Sequence, residues 1–470
     1  MTFCRRRIRA LLIAALILLP STAIPAAAQS ASAYFEFLMA RRLEAAGDQP
    51  GALAALERAS AADPMSADVR SEIASFQLRR SRPREAETAA LQALKLDADN
   101  MEAHRVLGLV YAADADALNT TSAQPKFQET AQAAIQHLEV AARETTTGPD
   151  VLFPLGRLYL RTGMPAKAVD VFSRVVSQNP GSAQVRLSLA QAYAAADDLK
   201  NAIATLDMIV DEEPRVASTL AQYQEQAGLL SDAVQNYTRA LALEPTNRGL
   251  KFRRIAALIA AHDFGRAARL AAEAQEQHAD DPRFPRLRAR ALFAAGDLKQ
   301  ALAVLEPTAK AFPRDSATQL ELADLYDEAG RDGDAERILR QLIEREPDNA
   351  QVLNHLGYML AEHGRQLDEA VRFVERALNL DPGNPYYLDS LGWAHFWRGD
   401  LEAAEKYLTP AATQLPRIAE VQDHLGDLLA KRGRWSDAIA AWARALEGEG
   451  GDRAALEKKI DEARGRMRSQ

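Results

Sequence analysis

The chain has 470 residues, 47% of them hydrophobic but only 6% aromatic, with alanine and leucine dominant and few β-branched runs. This is the composition of helices. The 57 basic residues face 65 acidic ones, a net charge of −8, which is unsuited to nucleic-acid binding because that rests on neutralising phosphates.

The first element reads as a secretory signal over 1–28. Arg5, Arg6, Arg7 and Arg9 precede an apolar run from Leu11 to Leu19, Pro20 ends it, and "AIPAAAQ" offers small residues for cleavage after Ala28. The run is about half of the roughly 20 residues a spanning helix needs; a retained anchor is the competing reading. No second apolar segment follows, so no integral membrane span is expected in the mature chain. Cys4 is the one cysteine and lies ahead of the run. Its removal would leave no thiol for disulfides, catalysis or soft-metal binding. Four arginines would leave with it, so 53 basic residues would face 65 acidic ones, a net charge of −12.

From residue 33 onward the organising signal is internal repetition. Segments such as "AAGDQPGALAAL" at 45, "AAGDLKQALAVL" at 294 and "WRGDLEAAEKYL" at 397 share one pattern. Gly330 to Gly364 spans 34 residues, Gly364 to Gly399 spans 35, and Gly399 to Gly433 spans 34. Twelve units start near 33, 67, 101, 149, 183, 214, 248, 282, 316, 350, 385 and 419. The twentieth residue of every unit is alanine, from Ala52 to Ala438, and the eighth is Gly or Ala in all but one, where Ile255 stands. Small residues at both places imply that two helices cross closely there, where a larger side chain would cost roughly 1–3 kcal/mol. Prolines such as Pro180, Pro245, Pro347 and Pro382 close their units, since proline lacks an N–H and disfavours a helical residue before it.

This pattern resembles the tetratricopeptide repeat over about 33–450. The resemblance implies an all-α, right-handed α-solenoid of about twelve helix hairpins. "DRAALEKKIDEARGRM" then places Leu456, Ile460 and Ala463 on one face, as a capping helix at 452–467 would. Three departures stand out. The third unit carries about fourteen extra residues within 114–132, read as a solvated loop. The sixth starts only 31 residues after the fifth, so its first helix should be short or tilted. The seventh has Arg254 where the core usually takes leucine, so stacking near 250 should be loose.

A search for chemistry finds no phosphate-binding glycine loop, no His-Glu-x-x-His and no Gly-x-Ser-x-Gly. No catalytic, cofactor or metal residues are therefore expected, and function should lie in surfaces. In such repeats the first helix lines a groove through its second, fifth, ninth, twelfth and thirteenth residues. Those places carry Arg283, Arg286 and Arg290 in the eighth unit and Tyr358 in the tenth. They carry Tyr386, Asp389, Trp393 and Trp397 in the eleventh, and Asp423 and Asp427 in the twelfth. Aromatic residues beside carboxylates suit a binding site; the bland alternative for Trp393 and Trp397 is packing against the next unit. Trp397 and Tyr386 are expected at the surface and Trp393 partly buried, while Asp389 on the same face would favour a cationic or hydroxyl-rich ligand. His395 falls on a core position.

The run from Leu353 to Leu408 also resembles a stretch of envelope-located repeat proteins of Proteobacteria, one of which is an adaptor for a processing protease. The expectation is an exported periplasmic scaffold or adaptor, associated with the outer membrane through a partner. Its partners would be proteins, an envelope protease or an assembly complex among them. An envelope glycan or exopolysaccharide assembly factor is the alternative, and an enzyme with an unrecognised site the remote one.

Overall fold

The computed structural model describes residues 26–118, 124–143 and 147–468. The arginine-rich start and the apolar run read as a signal lie outside the described residues. The described residues form 25 α-helices and no strand, and none of these helices is long and apolar enough to cross a membrane.

The chain divides into two units at Gly228. The first contains five helix pairs: α1 (Ala26–Ala45) and α2 (Gln49–Ala62), α3 (Ala67–Arg79) and α4 (Pro83–Leu96), α5 (Met101–Ala117) and α6 (Gln124–Ala141), α7 (Pro149–Arg161) and α8 (Pro165–Gln178), α9 (Ala183–Ala195) and α10 (Leu199–Asp207). It ends with α11 (Ala217–Gln226). The second begins with α12 (Leu230–Leu243) and continues through six pairs: α13 (Arg248–Ala260) and α14 (Phe264–Gln277), α15 (Arg283–Ala294) and α16 (Leu298–Ala311), α17 (Ser316–Glu328) and α18 (Asp332–Arg345), α19 (Ala350–Glu362) and α20 (Leu367–Leu380), α21 (Pro385–Arg398) and α22 (Leu401–Gln414), α23 (Ala419–Lys431) and α24 (Trp435–Glu447). A final helix, α25 (Arg453–Arg468), follows.

Local chemistry explains why each pair is a hairpin. Most turns are made by a glycine in the left-handed region, such as Gly296 at φ +85° or Gly399 at φ +87°, the conformation glycine adopts without strain, while Ser81, Asp197 and His262 take it in three of the pairs. Where the next residue is aspartate it caps the second helix: Asp297 accepts from the Gln300 amide at 2.9 Å and Asp400 from that of Ala403 at 3.1 Å. First helices start on Ser66, Ser182, Asn349 or Asn384 in the same way.

The twentieth-place alanines are the floor of the core, and all twelve, Ala52 through Ala438, are completely buried. The eighth-place glycines face the residue one turn beyond that alanine. A Cβ on Gly392 would lie 2.6 Å from Leu408 Cγ and 3.0 Å from the Leu408 backbone nitrogen. The small residue is what lets the helices cross.

The departures resolve differently from their sequence reading. The extra residues of the third unit are not a solvated loop: outside 119–123 they lengthen both helices, to 17 residues in α5 and 18 in α6. Ala115, Phe127 and Ala131 are buried, and the Arg161 guanidinium lies 4.2 Å from the Phe127 ring. Apolar residues at helical spacing drew this stretch into the core. The short spacing before the sixth unit costs two helices rather than one. α10 keeps nine residues, and a 3₁₀ turn at Pro214–Val216 precedes a ten-residue α11.

Candidate binding cleft

The aromatic box lies on α21. It begins with a proline, is capped by Asn384, and ends at left-handed Gly399, so its fourteen residues have one register. That register puts Gly392 against Leu408 of α22 and Leu391 in the core with α19 and α20, and turns Trp393, Phe396 and Trp397 toward the next repeat. A cleft of about 710 Å³ opens there. Tyr358 and Glu362 of α19, the three rings of α21, and Glu420, Asp423, His424 and Asp427 of α23 line one side. Trp435 with Lys459 and Arg466 of α25 line the other.

Its wall is a stack of rings. Trp393 is sandwiched between Phe396, at 4.7 Å between centroids and 3° between planes, and His424, at 4.0 Å and 14°. The Trp393 Nε1–H donates to Glu362 Oε2 at 2.6 Å. His424 Nδ1 lies 2.9 Å from Asp389 Oδ2, both side chains being buried. Burial opposes the charge on His424, but Asp389, with Glu420 and Glu362 behind it, outweighs burial and raises its pKa above the usual imidazole range. The Tyr358 hydroxyl donates to Glu420. Burial, then the Glu420 charge, moves that phenol upward.

The floor is closed by α25. Leu456, Ile460 and Ala463 are buried against the last hairpin. Lys459 Nζ reaches Asp423 at 2.7 Å and Asp427 at 2.9 Å. Asp427 also accepts from Trp442 Nε1 at 3.2 Å. Burial and the neighbouring Asp423 charge push the Asp427 carboxyl up, with Lys459 and Trp442 working against them.

The candidate residues therefore separate. Tyr386 and Trp397 are 53% and 46% exposed. Trp393, at 5% exposure, is core rather than partly buried, because two rings cover its faces. Asp389 is also 5% exposed; His424 occupies it, so it is not available to a ligand as its groove position suggested. Asp423 and Asp427 are engaged by the capping helix. The basic stripe is matched in place: Arg283 pairs with Asp281 at 2.6 Å, Arg286 with Glu321 at 3.0 Å, and Arg290 lies 3.6 Å from the same glutamate. Arg283, Arg286 and Arg290 are not among the residues lining the cleft. His395 is buried against Tyr407 and accepts from Arg398.

Sequence reasoning missed His424 and Lys459. A signal for His424 existed in the repeat: His355 pairs with Asp324 and His363 with Asp327, each at 2.8 Å, across neighbouring repeats, as His424 does with Asp389. Nothing in the spacing announced Lys459, because its helix belongs to no repeat. On the cleft's open side Lys431 Nζ lies 5.6 Å from the Phe396 ring and the Arg466 guanidinium 5.2 Å from the Trp435 ring. The site thus offers aromatic faces bordered by both carboxylates and cations.

Paired antiparallel helices repeating about every 34 residues define an α-helical repeat protein. Tetratricopeptide repeat families match residues 163–223 and 292–356, and residues 390–454. Tetratricopeptide repeats are thus detected in those three segments, and this repeat generally serves as a scaffold for protein–protein contacts. A tetratricopeptide repeat-containing protein of Pseudomonas aeruginosa is 35% identical over 141 residues, 30% of this chain and 24% of that protein. Cellulose synthase operon protein C of Xanthomonas axonopodis pv. citri is 25% identical over 77% of this chain and 23% of its own length. The chain thus spans about a quarter of each of these relatives. Among solved structures, yeast Tom70 matches at 12% identity with a TM-score of 0.44, covering 93% of this chain and 96% of that one.

Proposed function

We propose that the protein is a non-enzymatic scaffold or adaptor of the cell envelope, exported to the periplasm, that holds a protein partner in the cleft lined by its last three repeats and α25. The observation that carries this reading is the exposed Trp397 beside a wall already locked by stacking and hydrogen bonds. A rigid aromatic anchor loses little freedom on binding, which is where such sites gain affinity. The cleft residues left for a partner are Trp397 and the exposed carboxylates Glu362 and Glu420, with Tyr386 exposed on the same helix outside the cleft lining; they suit an extended segment presenting basic or hydroxyl side chains. A photo-crosslinker placed at Trp397 in cells, followed by mass spectrometry, tests this. One dominant protein should be captured from 397 and not from exposed Lys299; the same proteins from both positions would refute the assignment. Export is tested separately: periplasmic protein should begin at or near Gln29, and an intact start on cytosolic protein would overturn it.

A second reading has its own support. Similarity to a cellulose synthase operon protein across 77% of the chain, with tryptophan faces beside carboxylates, favours a role in exopolysaccharide assembly in which the cleft stacks on sugar rings. All four tryptophans lie between 393 and 442, so quenching by soluble polysaccharide, lost in Trp397→Ala, distinguishes this case.

A further inference from the structure

The seventh repeat places Arg254 where most of the other repeats place leucine. Arg254 takes the core position on α13, and Lys251 lies one turn before it. Lys251 is buried, 9% exposed. Its ammonium donates to Gln277 Oε1 and to His278 Nε2, the latter at 3.2 Å; both partners are neutral acceptors. The Arg254 Nε is buried with no hydrogen-bond partner. The two side chains line a pocket of about 210 Å³ with Leu241, Pro245, Leu270 and Ala274, and Glu273 is the one carboxylate on its wall.

A desolvated cation is costly unless an anion or a full set of acceptors replaces its water. Here two cations share one carboxylate, and the electrostatics register the deficit. Burial, then the Arg254 charge, pushes the Lys251 ammonium down. Burial, then Arg266, does the same to Arg254, with Glu273 opposing. Burial and Lys251 also hold His278 below its usual range, which keeps it an acceptor. The pocket volume is roughly seven times a water's share of the liquid, enough for an oxyanion with a small apolar body.

We propose that this pocket binds a small oxyanion, a carboxylate or phosphate group, with Lys251 and Arg254 as its ligands and the four apolar side chains receiving the rest of the molecule. The proposal is independent of the cleft at the last three repeats.

Calorimetric titration of the full chain with sodium benzoate and, separately, with inorganic phosphate tests it, ionic strength being held constant with chloride. Saturable one-site binding of either anion is expected, and the anion that binds identifies the head group. Arg254→Leu and Lys251→Gln should each weaken binding about tenfold or more. Arg254→Leu should melt no lower than the wild type, because it removes a buried charge and restores the repeat's usual residue. Should that variant fail to fold, Lys251→Gln carries the same comparison. No saturable binding of either anion at millimolar concentration, or unchanged binding in a folded variant, would overturn the proposal.

Discussion

Trp393 and Trp397 lie one helical turn apart, yet their removal should have unequal consequences. Trp393→Ala empties a site that is 95% enclosed. A buried tryptophan covers roughly 250 Å², worth about 6 kcal/mol at about 25 cal/mol per Å², and its indole also donates to Glu362. Partial collapse of Phe396 and His424 into the space recovers some of this, so the expected loss is about 3–5 kcal/mol. Trp397 keeps 46% of its surface in water, so on the same bookkeeping, with the same relaxation, its removal should cost about 2 kcal/mol. Repeat arrays need not unfold in one step, so the assay must report locally. Tryptophan fluorescence does, because all four indoles sit in the last two repeats, and three remain in either variant. Urea unfolding followed by fluorescence should show a large midpoint shift for Trp393→Ala and a small one for Trp397→Ala. Equal shifts, or a loss below about 1 kcal/mol at Trp393, would refute the ring-stack account of this wall.

Ala404→Leu should destabilise by roughly 1–3 kcal/mol, as should Gly392→Ala through its contact with Leu408, while substitution of exposed Lys299 should stay within about 0.5 kcal/mol; thermal melts compare them. The raised pKa of His424 makes its pairing with Asp389 a stabilising term that is complete below the unfolded value of about 6.5 and is lost as pH rises through the higher folded value. The last repeats should therefore weaken at alkaline pH, and His424→Gln should remove that component from a series of fluorescence-monitored urea curves. Lys459→Met should leave Asp423 and Asp427 without their cation and increase hydrogen exchange along α25 relative to α23, whereas uniform exchange across both helices would mean the lysine does not fasten the cap.

Much of the architecture was legible in the chain because a repeat states its rule many times. Alanine at one place in twelve units, and glycine or alanine at another in eleven, fixes where helices cross before any coordinates are seen, since only small side chains permit that approach. Glycine in the left-handed region, followed by aspartate at Gly47, Gly296 and Gly399, marks hairpin turns for equally local reasons. The exposed Tyr386 and Trp397 followed from helical phase alone. The same phase misjudged Asp389 and Trp393, which share the face but not the fate. Position on a helix says which way a side chain points, and only the neighbouring repeat says what it meets there: His424 for one, His424 and Phe396 for the other. The extra residues of the third unit looked like a loop because they break the period, yet Phe127 and Ala131 gain more from burial on lengthened helices than from water. Lys459, set outside every repeat, reaches Asp423 and Asp427 only because α25 docks on the final hairpin. Local conformation and helix crossing are short-range consequences of residue size and backbone chemistry, so the sequence determined them; which charges are satisfied and which rings stay open depend on contacts 31 to 36 residues apart, and those the tertiary structure alone decided.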